Sequence, residues 1–219
     1  MWHPDSFIQG LIDSYEKQWM ERRKTESWPD MKARIRDGLK RVLGSFESPD
    51  GSAPALQPVE LERVDKGDYV REKVEYTTAE GLRVPAYVLV PKTASDKRFP
   101  AVVGWAGHGT GHQEAVGLRH DGSERDETEG AGIHNDFAIK LVRRGLLVLV
   151  PETVGFGVRR LENPLMQREK PNDPAHYNSC YALSALLMLM GKSLAGLRVY
   201  EAFRAVDYLL TRSDVDANR

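Results

Sequence analysis

Apolar side chains recur at helical spacing from Asp5 to about Arg23, with Phe7, Ile8, Leu11, Ile12, Tyr15 and Trp19 marking one stripe. A second helix is predicted from near Pro29, burying Met31, Ile35, Leu39, Val42 and Leu43 and stopping at Gly44. Together these read as a helical arm packed on a larger body; an arm for oligomerisation or partner binding is the alternative. From Gly44 to Pro58 the composition shifts to Ser, Pro, Gly and Asp, the mark of a linker. The predicted division is therefore an arm with its linker over residues 1–58 and a body over residues 59–219.

The body opens with period-two patterns. Val59 to Val64, Tyr69 to Thr77 and Leu82 to Val90 read as strands, and Glu80-Gly81 supplies a tight hairpin between the last two. Alternation implies one wet face, hence antiparallel strands near a sheet edge. The pattern then changes. Phe99 to Trp105 is a buried apolar run, with Pro100 at the first strand position, where a missing N–H costs least. Gln113 to Gly130 is charged, almost free of large apolar residues, and reads as a surface excursion. Helical periodicity returns from about Ile133 to Arg144, and Leu146 to Val150 is a fully buried strand. Two buried strands joined through a helix make a βαβ unit with a parallel pairing. Residues 161–178 read as loop, and helices over about Ser179 to Met190 and Leu194 to Thr211 complete an α/β body.

Composition narrows the function. Hydrophobic content of 41% with 29% charged residues is ordinary for a globular protein, and a formal net charge of −1 gives no case for nucleic acid or an anionic membrane. Cys180 is the only cysteine, so no internal disulfide forms. The N-terminus lacks a basic region followed by an apolar core, and the longest apolar run falls far short of a membrane span, which makes a cytoplasmic location the expectation.

Candidate chemistry gathers in two glycine-bearing loops. After the Phe99–Trp105 strand, Gly107, Gly109 and Gly111 alternate with His108 and Thr110, a backbone able to turn sharply and present N–H groups to an oxyanion or phosphate. A plain strand-to-loop turn is the competing reading. The second loop, Glu152-Thr-Val-Gly-Phe-Gly-Val-Arg-Arg160, leaves the end of the next strand, the edge at which open α/β sheets hold ligands. His108, His112, His120, Asp121 and Glu124 could be grouped as metal ligands, but the glycines around His108 and His112 argue against a helix stacking the two, so no metal or other cofactor is expected. Gly191-Lys-Ser-Leu-Ala-Gly196 imitates a nucleophile elbow with its second glycine one residue late, and is read instead as a helix junction capped by Ser193. His134 and Asp136 read as helix N-terminal polar residues, and Cys180 as a buried, inert thiol without a basic partner nearby in sequence. No segment supplies a complete nucleophile, base and acid.

The order of elements resembles the α/β-hydrolase superfamily, in its esterase branch related to dienelactone hydrolases and acetyl xylan esterases. Pro100-Ala-Val-Val-Gly-Trp-Ala-Gly-His108 is similar to that family's strand ending in an oxyanion motif, with Ala106 in place of the usual histidine. Glu152-Thr-Val-Gly-Phe-Gly157 resembles its Asp-x-x-Gly-x-Gly loop, with Glu for Asp, and Leu194 to Arg219 resembles the helix and turn before the nucleophile strand. The resemblance, covering about Tyr69 to Arg219, implies the N-terminal half of such a fold: a mixed, mostly parallel sheet flanked by helices and preceded by the helical arm. It implies a serine esterase acting on a small acyl or carbohydrate ester, the backbone N–H of His108 serving the oxyanion hole and Gly107, Gly109, Glu152 and Gly155 lining the substrate. The Ser-His-Asp triad would lie beyond Arg219, so these residues alone are expected to be inactive. The partner expected is then the remaining half of the same polypeptide, with homo-oligomerisation left open. The alternatives are a non-catalytic anion- or nucleotide-binding module and a partner-dependent structural half.

Overall fold

A computed structural model describes residues 3–48, 50–92, 98–107, 111–162 and 179–219. The chain divides into two units, Met1–Leu43 and Gly44–Arg219. In the first, helices α1 (Asp5–Thr25) and α2 (Trp28–Leu43) follow the predicted stripes, and neither buries a residue. Ser27 Oγ accepts from the Asp30 amide at the start of α2, and Glu26 takes a bidentate pair from Arg34 at 2.8 and 2.6 Å, fixing the turn between the helices.

The second unit is built on a five-stranded sheet of order β1-β2-β3-β5-β4: β1 (Val59–Asp65), β2 (Tyr69–Ala79), β3 (Leu82–Pro91), β4 (Ala101–Val103) and β5 (Leu147–Pro151). Residues 44–58 belong with it. Leu56 packs on the core and its carbonyl accepts from the Thr77 amide, so this stretch is more than a spacer. β1, β2 and β3 form an antiparallel meander, and Ala79 pairs with Leu82 across a turn where Gly81 has φ 70°. β3 pairs antiparallel with β5, and only β4 pairs parallel with β5. The sheet is mixed, as expected. Its expected parallel majority is absent among the described strands, because the meander contributes more pairings than the single helical crossover.

Side-chain alternation sorts the core onto two faces. On one, Val84, Ala86 and Val88 of β3 and Leu147 and Leu149 of β5 pack with Ala205, Tyr208 and Leu209 of α6 (Leu194–Thr211). On the other, Tyr87, Leu89, Val148 and Val150 pack with Ala138 and Val142 of a short helix whose crossover joins β4 to β5. Each of these fully buried aliphatic side chains contributes about 1.5–3 kcal/mol by leaving water. The Tyr76 and Tyr208 rings stack at 4.9 Å and 5° between sheet and α6.

Two expectations are corrected here. The predicted surface excursion is partly core: it opens with α3 (His112–Ala115), and Ala115, Val116 and Leu118 are buried under the sheet. The predicted helix from Ile133 is α4, Phe137–Val142 only, since Asn135 and Asp136 turn through left-handed backbone at φ 53° and 48°. α5 (Cys180–Leu189) precedes α6, and Ser193 Oγ caps α6 by accepting from the Gly196 amide at 3.0 Å, as the capped-junction reading required. Among the described residues no single helix is long and apolar enough to cross a membrane; α5 and α6 pass that test only as a pair bent by 99°.

Candidate functional site

The two glycine-bearing loops leave the carboxyl ends of β4 and β5, which lie side by side in parallel register. Gly104 continues the ladder by donating its amide to the Leu149 carbonyl at 2.8 Å. It has no room for a side chain, because a Cβ there would overlap the Phe137 ring of α4. Ala106 is then buried and Gly107 emerges, with the His134 ring beside it; His134 Nε2 is buried and has no partner among the described residues. His108 and Gly109, the predicted oxyanion donor and its neighbour, lie outside the described residues. The chain is described again at Gly111, in left-handed backbone at φ 89°, and at His112, which is 1% exposed.

The second loop reaches back to hold the first. Glu152 is itself 1% exposed. Its carboxylate accepts from the His112 amide at 3.2 Å and meets His112 Nδ1 at 2.6 Å. Next in sequence, Thr153 donates its hydroxyl to the Ala106 carbonyl at 3.3 Å. Glycines make room for this arrangement: a Cβ on Gly111 or on Gly157, which has φ 47°, would overlap the Glu152 carboxylate. Behind His112 the Tyr87 ring lies at 4.7 Å, and the buried Arg71 guanidinium sits 5.8 Å from the same ring. Burial holds the Tyr87 hydroxyl above its ordinary titration range, so it is a neutral phenol.

The second loop is in turn braced on α6. Arg159 donates to both oxygens of Glu201 at 2.8 and 2.5 Å and to the Glu152 carbonyl at 2.9 Å, and Thr78 donates to Glu201 at 3.1 Å. Arg198 donates to the Val154 carbonyl and to Cys180 Sγ, so the thiol read as lacking a basic partner has one supplied by the fold. Gly155 is buried at φ 92°, with Leu183, Arg198 and Cys180 packed where its Cβ would lie. Of the predicted site residues, Gly107 therefore flanks the end of β4, while Glu152 and Gly155 face inward and form the support. Thr153, Arg159 and Glu201 were not read as site residues, and His112 was weighed only as a metal ligand. Glu201 alone carried a signal, a carboxylate midway between Leu197 and Ala205 on the apolar stripe of its helix.

Among the described residues, the candidate metal ligands are drawn to other partners. Glu124 is drawn onto Arg71 and Lys66, and its hydrogen bond from Arg71 holds its carboxyl below the usual range; Asp121 accepts from Ser123, and His112 is held by Glu152. No group of three or more His, Cys, Asp or Glu among the described residues could hold a metal ion. A surface cleft of about 690 Å³ includes Lys66, Glu124, Arg125 and Asp136 in its walls, and these charges pair with one another.

The fold with these two loops is shared with solved structures of esterases. It is similar to an assigned acetyl xylan esterase from Bacteroides fragilis NCTC 9343, with a TM-score of 0.65 and 18% identity over 85% of this chain and 44% of that one. A glucuronoyl esterase from Solibacter usitatus matches with a TM-score of 0.50 and 16% identity, over 89% of this chain and 52% of its own. In sequence, the chain is 25% identical over 193 residues to YtaP of Bacillus subtilis (strain 168), a hydrolase by its assigned name; the match spans 86% of this chain and 54% of that protein. The chain thus spans about half the length of the curated relative it matches. No protein-family model matches it.

Proposed function

We propose that this chain forms the oxyanion-binding portion of a serine ester hydrolase acting on a small acyl or carbohydrate ester. The observation that carries the reading is the pair of loops at the carboxyl ends of β4 and β5, one anchored on the other through Glu152–His112 and Thr153–Ala106. Such bracing is what a preorganised donor site requires, since amides aimed in advance at a developing oxyanion cost no reorganisation in the transition state. In this reading the amide of His108 is a donor to that oxyanion, and the glycines on either side let the backbone approach the substrate. A serine attacks the ester carbonyl, a histidine moves its proton, and an acid orients the histidine, all three supplied by sequence beyond Arg219.

The outer edge of β4, last in the described sheet and met at the Ala101 amide by the Arg219 carbonyl at 3.4 Å, supports this placement. Beyond α6 the chain runs beside it: the Phe99 amide donates to the Asp214 carbonyl at 2.8 Å, the Asp216 amide donates to the Phe99 carbonyl at 2.8 Å, and Phe99 and Val215 form a parallel bridge. A further parallel strand next to β4 would bring a strand-end nucleophile alongside the two loops. The test is a full-length polypeptide assayed with p-nitrophenyl acetate and labelled with a fluorophosphonate. Turnover, with one labelled serine located after Arg219, is the expected result. A folded protein that neither turns over nor takes the label overturns the reading.

A further inference from the structure

We infer that the outer face of α6 is a dimer interface, paired antiparallel with the same helix of a second copy of this chain; the inference stands apart from the chemistry proposed above. Val199, Phe203, Val206 and Leu210 are 41–67% exposed, and nothing among the described residues covers them. Their steps of four, three and four residues draw one straight seam along the helix, the spacing by which one helix packs along another. The seam lies opposite the face that packs Leu197, Ala205 and Tyr208 on the body. The charged residues of α6 are engaged elsewhere. Arg198 donates to the Val154 carbonyl, Glu201 accepts from Arg159 and Thr78, and Arg204 donates to the Pro54 carbonyl and to Asp207. The side of the helix turned to solvent is thus apolar, the reverse of an ordinary surface helix.

A second copy fits this face in symmetry, charge and size. About a two-fold axis between Arg204 and Ala205, Phe203 of one copy meets Val206 of the other and Val199 meets Leu210, each contact twice over, so the seam is self-complementary. Asp207 is the one charged residue of α6 beside the seam. It falls across from Ala202 and is already held by Arg204 at 2.9 Å, so the pairing brings no like charges together. Ala195 and Ala202 flank the seam, and side chains this small let helix axes approach to about 8–10 Å. The four seam residues present roughly 400 Å² at these exposures, already as much as the largest apolar patch of a typical monomer. Met188, Leu189 and Met190, at the end of α5 that leads into α6, are 62–85% exposed and bring the apolar surface to roughly 850 Å², against the about 800 Å² that each partner buries in a stable complex. An uncharged, self-matching seam favours a copy of itself over an anionic surface or a charged partner.

The test is the mass of the full-length protein in solution by sedimentation equilibrium, compared with those of Phe203→Lys and Val206→Glu. The parent should be a dimer at micromolar concentration. Either charge, buried alone in the seam, should raise the dissociation constant at least thirtyfold, and the circular dichroism spectrum should not change, because neither side chain packs on the body. Mixed in equal amounts, the two variants should recover the dimer, since the antiparallel register sets the new lysine of one chain against the new glutamate of the other. A monomeric parent overturns the inference, whether its α6 face is covered by the helices of residues 3–43 or by sequence after Arg219. A dimer indifferent to both substitutions overturns it as well, and so does a mixture that stays monomeric. If either variant fails to fold, Leu210→Lys mixed with Val199→Glu repeats the test at the outer pair of the seam.

Discussion

Replacing Glu201 by Ala removes the counter-ion of a guanidinium that has nowhere else to go. The Arg159 and Glu201 side chains are 6% and 2% exposed, so solvent screening does little to soften the loss. Two charge-assisted hydrogen bonds vanish, Thr78 loses the nearer of its two acceptors and keeps the Leu82 carbonyl, and Arg159 keeps the Glu152 carbonyl. Breaking a buried pair from one side costs about 3–5 kcal/mol, because the remaining charge stays desolvated. For a domain of this size that lowers the melting temperature by roughly 6–20 °C. The sharper measurement is a double-mutant cycle by urea denaturation of the full-length protein. Arg159→Met with Glu201→Leu removes both charges and refills the volume, and should fall within about 1–2 kcal/mol of the parent. A Glu201→Ala cost below about 1 kcal/mol, or a double variant no better than the single, would refute the claim that this pair is dry and tightly coupled.

The remaining predictions concern packing, capping and acid stability. Gly104→Ala forces a Cβ into the Phe137 ring, and overpacking of this kind should cost about 1–3 kcal/mol in thermal unfolding; no loss would show that α4 is free to shift. Ser193→Ala removes the acceptor for the Gly196 amide and should cost about 1 kcal/mol, most of it recovered by Ser193→Asp. The Glu124 carboxyl is held below its usual range, chiefly by the hydrogen bond from Arg71. A depressed folded-state value means stability that is present above the unfolded value and lost as pH falls through the folded one. Glu124→Gln should therefore flatten part of the acid side of a melting-temperature profile below about pH 4.5, and an unchanged slope would count against the pairing.

Much of the fold was legible because period and punctuation agreed. Alternation in Tyr69–Thr77 and Leu82–Val90, with Glu80-Gly81 between them, could only be a hairpin, and Leu146–Val150 could only be a buried strand. The misreadings have tertiary causes. Val116 and Leu118 fall in the charged segment read as a surface excursion, yet they close the face beneath Leu89 and Val150. The helix from Ile133 lost its first turn because Asn135 and Asp136 adopt left-handed backbone, with Arg125 paired to Asp136 from another part of the chain. For the candidate site, sequence located both loops but not the division of labour between them. Glu152 was expected to line the substrate from the resemblance, yet it turns inward onto His112, 40 positions away, and spacing cannot show which way a carboxylate turns. The same holds for Cys180, whose contact with Arg198 exists only once α5 and α6 are packed.

The central claim is that the backbone after β4, not any side chain upon it, stabilises the charge that develops on the substrate. His108→Pro in the full-length protein addresses it directly, since proline deletes the N–H and leaves Gly107 free to accommodate the ring. With folding verified by circular dichroism and an unchanged melting temperature, kcat should fall by about 10²–10³-fold, while His108→Ala stays near the parent. Parental turnover in a folded His108→Pro protein would contradict the account.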